Sequence, residues 1–204
     1  MSLKFMWDFW ANYYDKLWVQ KYSLTPTRNR IVNNIKIDEN FNILDAGCGI
    51  GELLRDMKNK FNSNTLNLYG IDYSSSMIKR GKKIDSTINY EHMDVCHVDE
   101  YYSNMDYILC SHSFPYYRDK REILKKFHRV LKDDGTLLLA QASENSLYDK
   151  IALFFVKFTT GRAQYLSINN IRDLSKDLFK LEKLEIIREK PFMPSIVLFV
   201  LRKI

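Results

Sequence analysis

The chain predicts an α/β fold around a mostly parallel sheet. Along its 204 residues, short apolar runs of strand length alternate with segments of helical period, the pattern of strand–helix–strand crossovers. The first strong run, Phe41-Asn42-Ile43-Leu44, ends in Asp45 and passes through three glycines at alternate positions before a helix resumes at Glu52. The chain has only seven glycines, so clustering Gly47, Gly49 and Gly51 marks a local backbone requirement. Glycine reaches positive φ and lacks a Cβ, which lets backbone amides approach a ligand at a helix N-terminus.

The length suits one domain with a substantial core. A composition of 46% apolar, 14% aromatic and 27% charged residues fits a soluble globular protein, and the longest apolar runs, 151–158 and 196–201, are far below the roughly 18–20 residues that span a bilayer. The N-terminus has no basic and apolar leader pattern, so a cytoplasmic protein with no membrane association is expected. Cys48, Cys96 and Cys110 lack C-x-x-C spacing, which argues against a disulfide framework and against a metal site. The net charge of +6 is spread among acids; its densest cluster, Lys79-Arg80-Gly81-Lys82-Lys83, closes a helix, where each cation gains about 0.3–1 kcal/mol from the dipole. That reads as a solvated helix end and makes a nucleic-acid partner unlikely.

In order, Trp7, Trp10, Tyr14 and Trp18 repeat at one-sided helical spacing. Thr25-Pro26-Thr27 interrupts the pattern and a second helix is expected over 28–37. After the glycine loop come a helix to about residue 61, a turn at 62–64, and an alternating strand over 65–72 ending in Asp72. In doubly wound sheets ligands bind at that edge, and an acid there can accept both hydrogen bonds of a ribose diol. Ser74 or Ser75 caps the next helix. A third strand over 88–94 ends in Asp94, and a fourth over 105–111 is almost wholly apolar, as a strand buried on both faces should be. A helix over 118–131, a turn at Asp133-Asp134-Gly135 and a strand over 136–140 follow, then an apolar stretch that reads as a helical lid. Ser167 caps a helix over 168–178, and strands over 179–189 and 195–203 are joined across Pro191 and Pro194.

The spacing Asp45-x-Gly47-x-Gly49-x-Gly51 is neither G-x-G-x-x-G nor a P-loop. It resembles motif I of the class I S-adenosylmethionine-dependent methyltransferases, and the run from Phe127 to Leu137 resembles that family's R-x-L-K-P-G-G junction, with Asp133-Asp134 replacing Pro-Gly. The resemblance implies a Rossmann-like, seven-stranded, mostly parallel sheet with helices on both faces and the last strand antiparallel. It implies one methyltransferase domain over 1–204: an N-terminal helical cap (1–37), a cofactor-binding core (38–142), a substrate lid (143–167) and a C-terminal helix with the final strands (168–204).

The cofactor so implied is S-adenosyl-L-methionine. Asp45, Gly47, Cys48, Gly49 and Gly51 would hold its methionine end and Asp72 its ribose. Tyr73 and Met77 would flank the adenine, the Asp94 carboxylate would accept a hydrogen bond from the adenine amino group, the Val95 amide would donate to a ring nitrogen, and Ser111 would border the site. Methyl transfer is an in-line displacement that needs positioning above all, and a base only where the acceptor is a hydroxyl or a protonated amine. His112, following the fourth strand at the ligand edge, is the candidate base. Tyr14, Tyr116 and Tyr117 are candidate acceptor contacts. Ser113-Phe114-Pro115-Tyr116 lacks the Asn/Asp-Pro-Pro-Tyr/Phe signature of enzymes that methylate nucleic-acid bases or protein glutamine. A small-molecule acceptor and a monomer or homodimer are therefore expected. Methylation of RNA or protein, and cofactor binding without transfer, are the alternatives.

Overall fold

The computed structural model describes residues 20–37, 40–61, 66–160, 163–190 and 193–204. The aromatic positions Trp7, Trp10, Tyr14 and Trp18 lie outside them. Seven strands form a single sheet: β1 (Phe41–Ala46), β2 (Leu66–Asp72), β3 (Asn89–His92), β4 (Met105–Ser111), β5 (Leu131–Ala142), β6 (Phe179–Ile187) and β7 (Ile196–Lys203). Their order is β3-β2-β1-β4-β5-β7-β6, with β1 to β5 parallel and β7 antiparallel to both neighbours. The order reverses at β1 and β4, and a crevice opens beyond the carboxyl ends of those two strands.

The helices are α1 (Thr25–Asn33), α2 (Glu52–Lys60), α3 (Ser75–Ile84), α4 (Val98–Tyr101), α5 (Lys120–Val130), α6 (Leu147–Thr160) and α7 (Ile168–Ser175). They divide between the two faces of the sheet because alternate strand residues point to opposite sides. Leu44, Ile108, Leu137 and Phe199 pack with Ile123, Leu124 and Phe127 of α5 and Ile171 of α7. Ile43, Leu109, Leu138 and Leu198 pack with Ile31 of α1, Leu53 and Met57 of α2 and Ile78 of α3. Each fully buried Leu, Ile or Phe in these two layers contributes about 1.5–3 kcal/mol.

Three local expectations change. Thr25-Pro26-Thr27 does not break a helix but forms the first turn of α1, where proline's missing N–H and fixed φ fit. The Asp133-Asp134-Gly135 turn becomes an excursion within β5: Met105 pairs with Leu131 and Tyr107 with Thr136, so residues 132–135 loop out opposite Asp106. Asp106 anchors that excursion, accepting from Lys132 Nζ at 2.6 Å and from the Asn42 N–H at 2.8 Å. The strand over 88–94 shortens to Asn89–His92, leaving Asp94 to cap a 3-10 turn through the Cys96 N–H.

The lid expected over 143–167 contains α6, and Asp149 fixes its start. This buried carboxylate accepts from the N–H and hydroxyl of Ser146, from the N–H (2.8 Å) and hydroxyl (3.0 Å) of Ser195, and from Arg188 at 2.9 Å. Burial works against its charge, but the Ser195 and Ser146 hydrogen bonds and the Arg188 guanidinium hold it below the usual carboxylate range. Among the described residues no helix is long and apolar enough to cross a membrane.

Candidate active site

The loop between β1 and α2 is built to a fixed shape. Gly47, Gly49 and Gly51 all have positive φ. At Gly51 a Cβ would lie 1.9 Å from the Tyr90 hydroxyl, which comes up from β3 toward the Ile50 carbonyl. At Gly49 the Cβ direction faces open space, the side from which a ligand can approach. The Gly47 and Cys48 amides donate to the Ile71 carbonyl at 2.8 and 3.0 Å, Gly49 donates to Asp72 Oδ2 at 2.9 Å, and Gly51 donates to the Cys48 carbonyl. The loop amides thus hold the loop itself. The first turn of α2, with no side-chain cap and a positive dipole end, remains available to an anion.

Asp45 is the group this scaffold leaves unsatisfied. It is 2% exposed, and its Oδ1 has no hydrogen-bond partner. Burial, then the charge of Asp72, push its carboxyl up to about 8, with Arg28 opposing. A buried acid without partners is costly unless something supplies a donor or a cation. Asp45 shares a small cleft with Leu24, Arg28, Gly49, Glu52 and Ser111, so an amine entering beside the glycine loop would meet it. Cys48 also lines this cleft; burial and the nearby Asp72 and Asp45 carboxyls raise its thiol well above the ordinary range, which keeps it uncharged.

Asp72 ends β2 with Oδ1 accepting from the Ser74 N–H at 2.8 Å and Oδ2 bound to Gly49. A carboxylate oxygen can accept more than one hydrogen bond. Beyond it Tyr73 is exposed, Met77 is buried behind the Ser74 cap, and Asp94 and Val95 stand at the start of the turn after β3. Met93 N–H donates to the Asp72 carbonyl, so the ends of β2 and β3 are held side by side. Asp45, Asp72 and Asp94 therefore lie at or just beyond the carboxyl ends of adjacent parallel strands, β1, β2 and β3.

From the other side, β4 ends at Ser111 and turns sharply through His112, whose φ is +60°. Ser113 Oγ and the Tyr117 hydroxyl both donate to the Ala46 carbonyl, at 2.6 and 3.1 Å, and brace the glycine loop from beneath. Tyr117, expected as an acceptor contact, spends its hydroxyl on that brace, while Tyr116 lies in the 3-10 turn before it. Burial and the neighbouring Arg28 push His112 down to about 4, so its ring is neutral at physiological pH. Tyr14 lies outside the described residues.

Two site residues escaped the sequence reading. Arg28 lines the cleft and ties α1 to α2 through Asp56 (2.7 Å) and Glu52 (3.2 Å). Thr27, fully buried, meets His112 at 3.2 Å. Their only sequence signal is the Pro26 beside them, which marks a helix start when read as a first-turn proline. Among the described residues no group of three or more His, Cys, Asp or Glu side chains could hold a metal ion.

The family model described as Methyltransferase domain matches residues 43–135, which include the loop, Asp72, Asp94 and the β4 turn. A malonyl-[acyl-carrier protein] O-methyltransferase of Hamiltonella defensa is 28% identical over 105 residues, 52% of this chain and 39% of that protein. A chain from the complex that contains the Haloferax volcanii Trm112 methyltransferase activator superposes with a TM-score of 0.81 at 16% identity, covering 97% of each chain. The N-methyltransferase NodS of Bradyrhizobium japonicum, solved with S-adenosyl-L-homocysteine, gives 0.77 at 11% identity, covering 100% of this chain and 99% of that one. The chain's matches span 39% to 58% of the lengths of the first four curated relatives. The expected fold, a seven-stranded, mostly parallel sheet with helices on both faces and the last strand antiparallel, is the one observed.

Proposed function

We propose that this chain, which carries a class I S-adenosylmethionine-dependent methyltransferase domain, transfers a methyl group from S-adenosyl-L-methionine to a small-molecule acceptor. The observation that carries the reading is Asp45, a buried carboxyl at the mouth of a glycine loop whose Oδ1 has no hydrogen-bond partner. An α-amino group supplies what it lacks. The uncapped first turn of α2 suits the neighbouring carboxylate, Asp72 the ribose diol, and Asp94 with the Val95 amide the adenine edge, with Tyr73 and Met77 beside the ring. When bound, the cofactor supplies a methyl group activated by a sulfonium. The chain's own contribution is orientation: the rigid loop fixes one reactant, and the β4 turn with the lid over 143–167 fixes the other.

A neutral His112 and a protonated Cys48 add no positive or negative charge beside a cationic ligand. Free Cys48, Cys96 and Cys110 suit the cytoplasmic location that belongs to this reading, with the protein a monomer or homodimer. RNA or protein as acceptor is a second reading, favoured by the net charge of +6 and by the likeness to a chain from an activator complex; RNA binding with a steep salt dependence would support it.

Calorimetric titration with S-adenosyl-L-methionine and S-adenosyl-L-homocysteine, beside NAD and an Asp72→Ala variant, tests the cofactor. Micromolar binding weakened at least tenfold by the substitution, about 1.4 kcal/mol, is expected. Binding of NAD instead, or of neither methionine derivative, would overturn the reading. Binding followed by no transfer to a broad acceptor panel would leave a cofactor-binding protein without transfer activity.

A further inference from the structure

The turn after β4 contains a hydrogen-bond chain whose direction is fixed by counting protons. Thr27, fully buried on α1, has its Oγ1 2.7 Å from the Ser23 carbonyl. A carbonyl only accepts, so Thr27 gives Ser23 its single hydroxyl proton. The same Oγ1 lies 3.2 Å from His112 Nε2. With no second proton to offer, Thr27 must accept there, and Nε2 must carry the hydrogen. A neutral imidazole has one N–H, so the lone pair is on Nδ1.

We propose that Thr27 is a positioning residue that holds His112 as the Nε2–H tautomer, leaving Nδ1 to accept a hydrogen bond from the O–H or N–H of the methyl acceptor. The backbone supports the same placement. His112 adopts φ +60°, sparsely populated for a residue with a Cβ, and its N–H is secured to the Ala140 carbonyl at 2.8 Å. It directly follows Ser111, which lines the cleft with Asp45 and Gly49. Nδ1 has no partner among the described residues, and the side chain is partly exposed.

The charged group facing the ring is Arg28, one residue beyond Thr27 on α1, with Asp45 across the same cleft. Arg28 and burial both disfavour the imidazolium, so the ring serves as a neutral hydrogen-bond acceptor that orients the nucleophile. That selects a protic acceptor, a hydroxyl or an amine, over a bare carboxylate. The role of Nδ1 rests on the methyltransferase reading; the tautomer does not.

Long-range proton–nitrogen NMR of the 15N-histidine protein reads the ring directly. Four histidines are present, and His112→Gln assigns the relevant signal. The expected pattern is a neutral Nε2–H ring, constant across the neutral range. Thr27→Val, which removes the hydroxyl at equal shape, is expected to give a tautomer mixture, and Thr27→Ser to restore the wild-type pattern. An Nδ1–H ring in the wild type, or a Thr27→Val spectrum identical to it while the variant stays folded, overturns the proposal. Phenol titrated into the protein with S-adenosyl-L-homocysteine should move the Nδ1 resonance, and anisole, its aprotic analogue, should not; equal effects or none overturn the acceptor role. The tautomer is measured without cofactor, so its failure leaves the calorimetric test of the methyltransferase reading intact, and the reverse also holds.

Discussion

If Asp45 is the amine receptor, cofactor binding should depend on pH in a direction and size that follow from its burial. In the free protein its carboxyl titrates near 8, so at pH 7 it is mostly a neutral acid. An ammonium ligand binds the carboxylate, and the proton must leave first. Below pH 8 the apparent Kd should weaken about tenfold per unit, to about 100-fold at pH 6 relative to the fully ionised site. S-adenosyl-L-homocysteine is the better probe because it has no sulfonium charge, and a window from pH 6 to 7.5 keeps its amine protonated. Titration in two buffers of different ionisation enthalpy should show close to one proton released per ligand at pH 6.5. In Asp45→Asn the affinity should fall and the slope vanish. A wild-type Kd constant from pH 6 to 7.5, with no proton release, would refute the reasoning. Stability has a matching sign. The unfolded chain loses this proton near the ordinary value of 3.8 and the free folded chain near 8, so the folded state binds more protons between them and stability falls as pH rises through that window. Asp45→Asn should therefore be more stable than the unliganded wild type at pH 8, by a margin that shrinks toward pH 4.

Gly51→Ala should destabilise the fold by about 2 kcal/mol or more, because φ is +79° and the new Cβ meets the Tyr90 hydroxyl. Denaturant unfolding measures this, and a variant as stable as wild type would show that the loop relaxes freely. Asp149→Ala should cost about 3 kcal/mol by stranding Arg188 and the Ser195 donors. Because the Asp149 pKa is depressed, its stabilisation is present above about pH 4 and is lost as pH falls through the lowered value; the variant and wild-type melting curves should converge in acid.

The sheet was legible because strand residues buried on two faces give unbroken apolar runs: the expectation for β4, 105–111, matches Met105–Ser111. The glycine loop was legible because positive φ is a requirement that the local sequence itself must meet. What the sequence hid depends on distant partners. Thr27 and His112 are 85 residues apart, Tyr117 braces Ala46 across 71, and Asp149 collects donors from Ser195 46 residues away. Nothing periodic announces such contacts. Pro26 misled because its meaning depends on position: inside a helix it breaks, in the first turn it fits.

These hidden contacts share one consequence. Ser113 and Tyr117 hold the glycine loop from beneath, Tyr90 closes it behind, Asp72 ties its middle amide, and Arg28 brings α1 against its following helix. Every one of these groups is already satisfied without a ligand, so the loop need not reorganise on binding, and little ordering entropy remains to oppose association. Asp45 is the exception within the loop's own neighbourhood, its Oδ1 buried and unbonded. The destabilisation therefore sits on the one group that an amine would satisfy. Ligand binding and a fall in pH relieve the same buried charge, one by pairing it and the other by protonating it, which makes them competitors. Thermal stabilisation by S-adenosyl-L-homocysteine should accordingly be greater at pH 7.5 than at pH 6 at equal ligand concentration, and Asp45→Asn should abolish that difference while leaving the loop's shape unchanged.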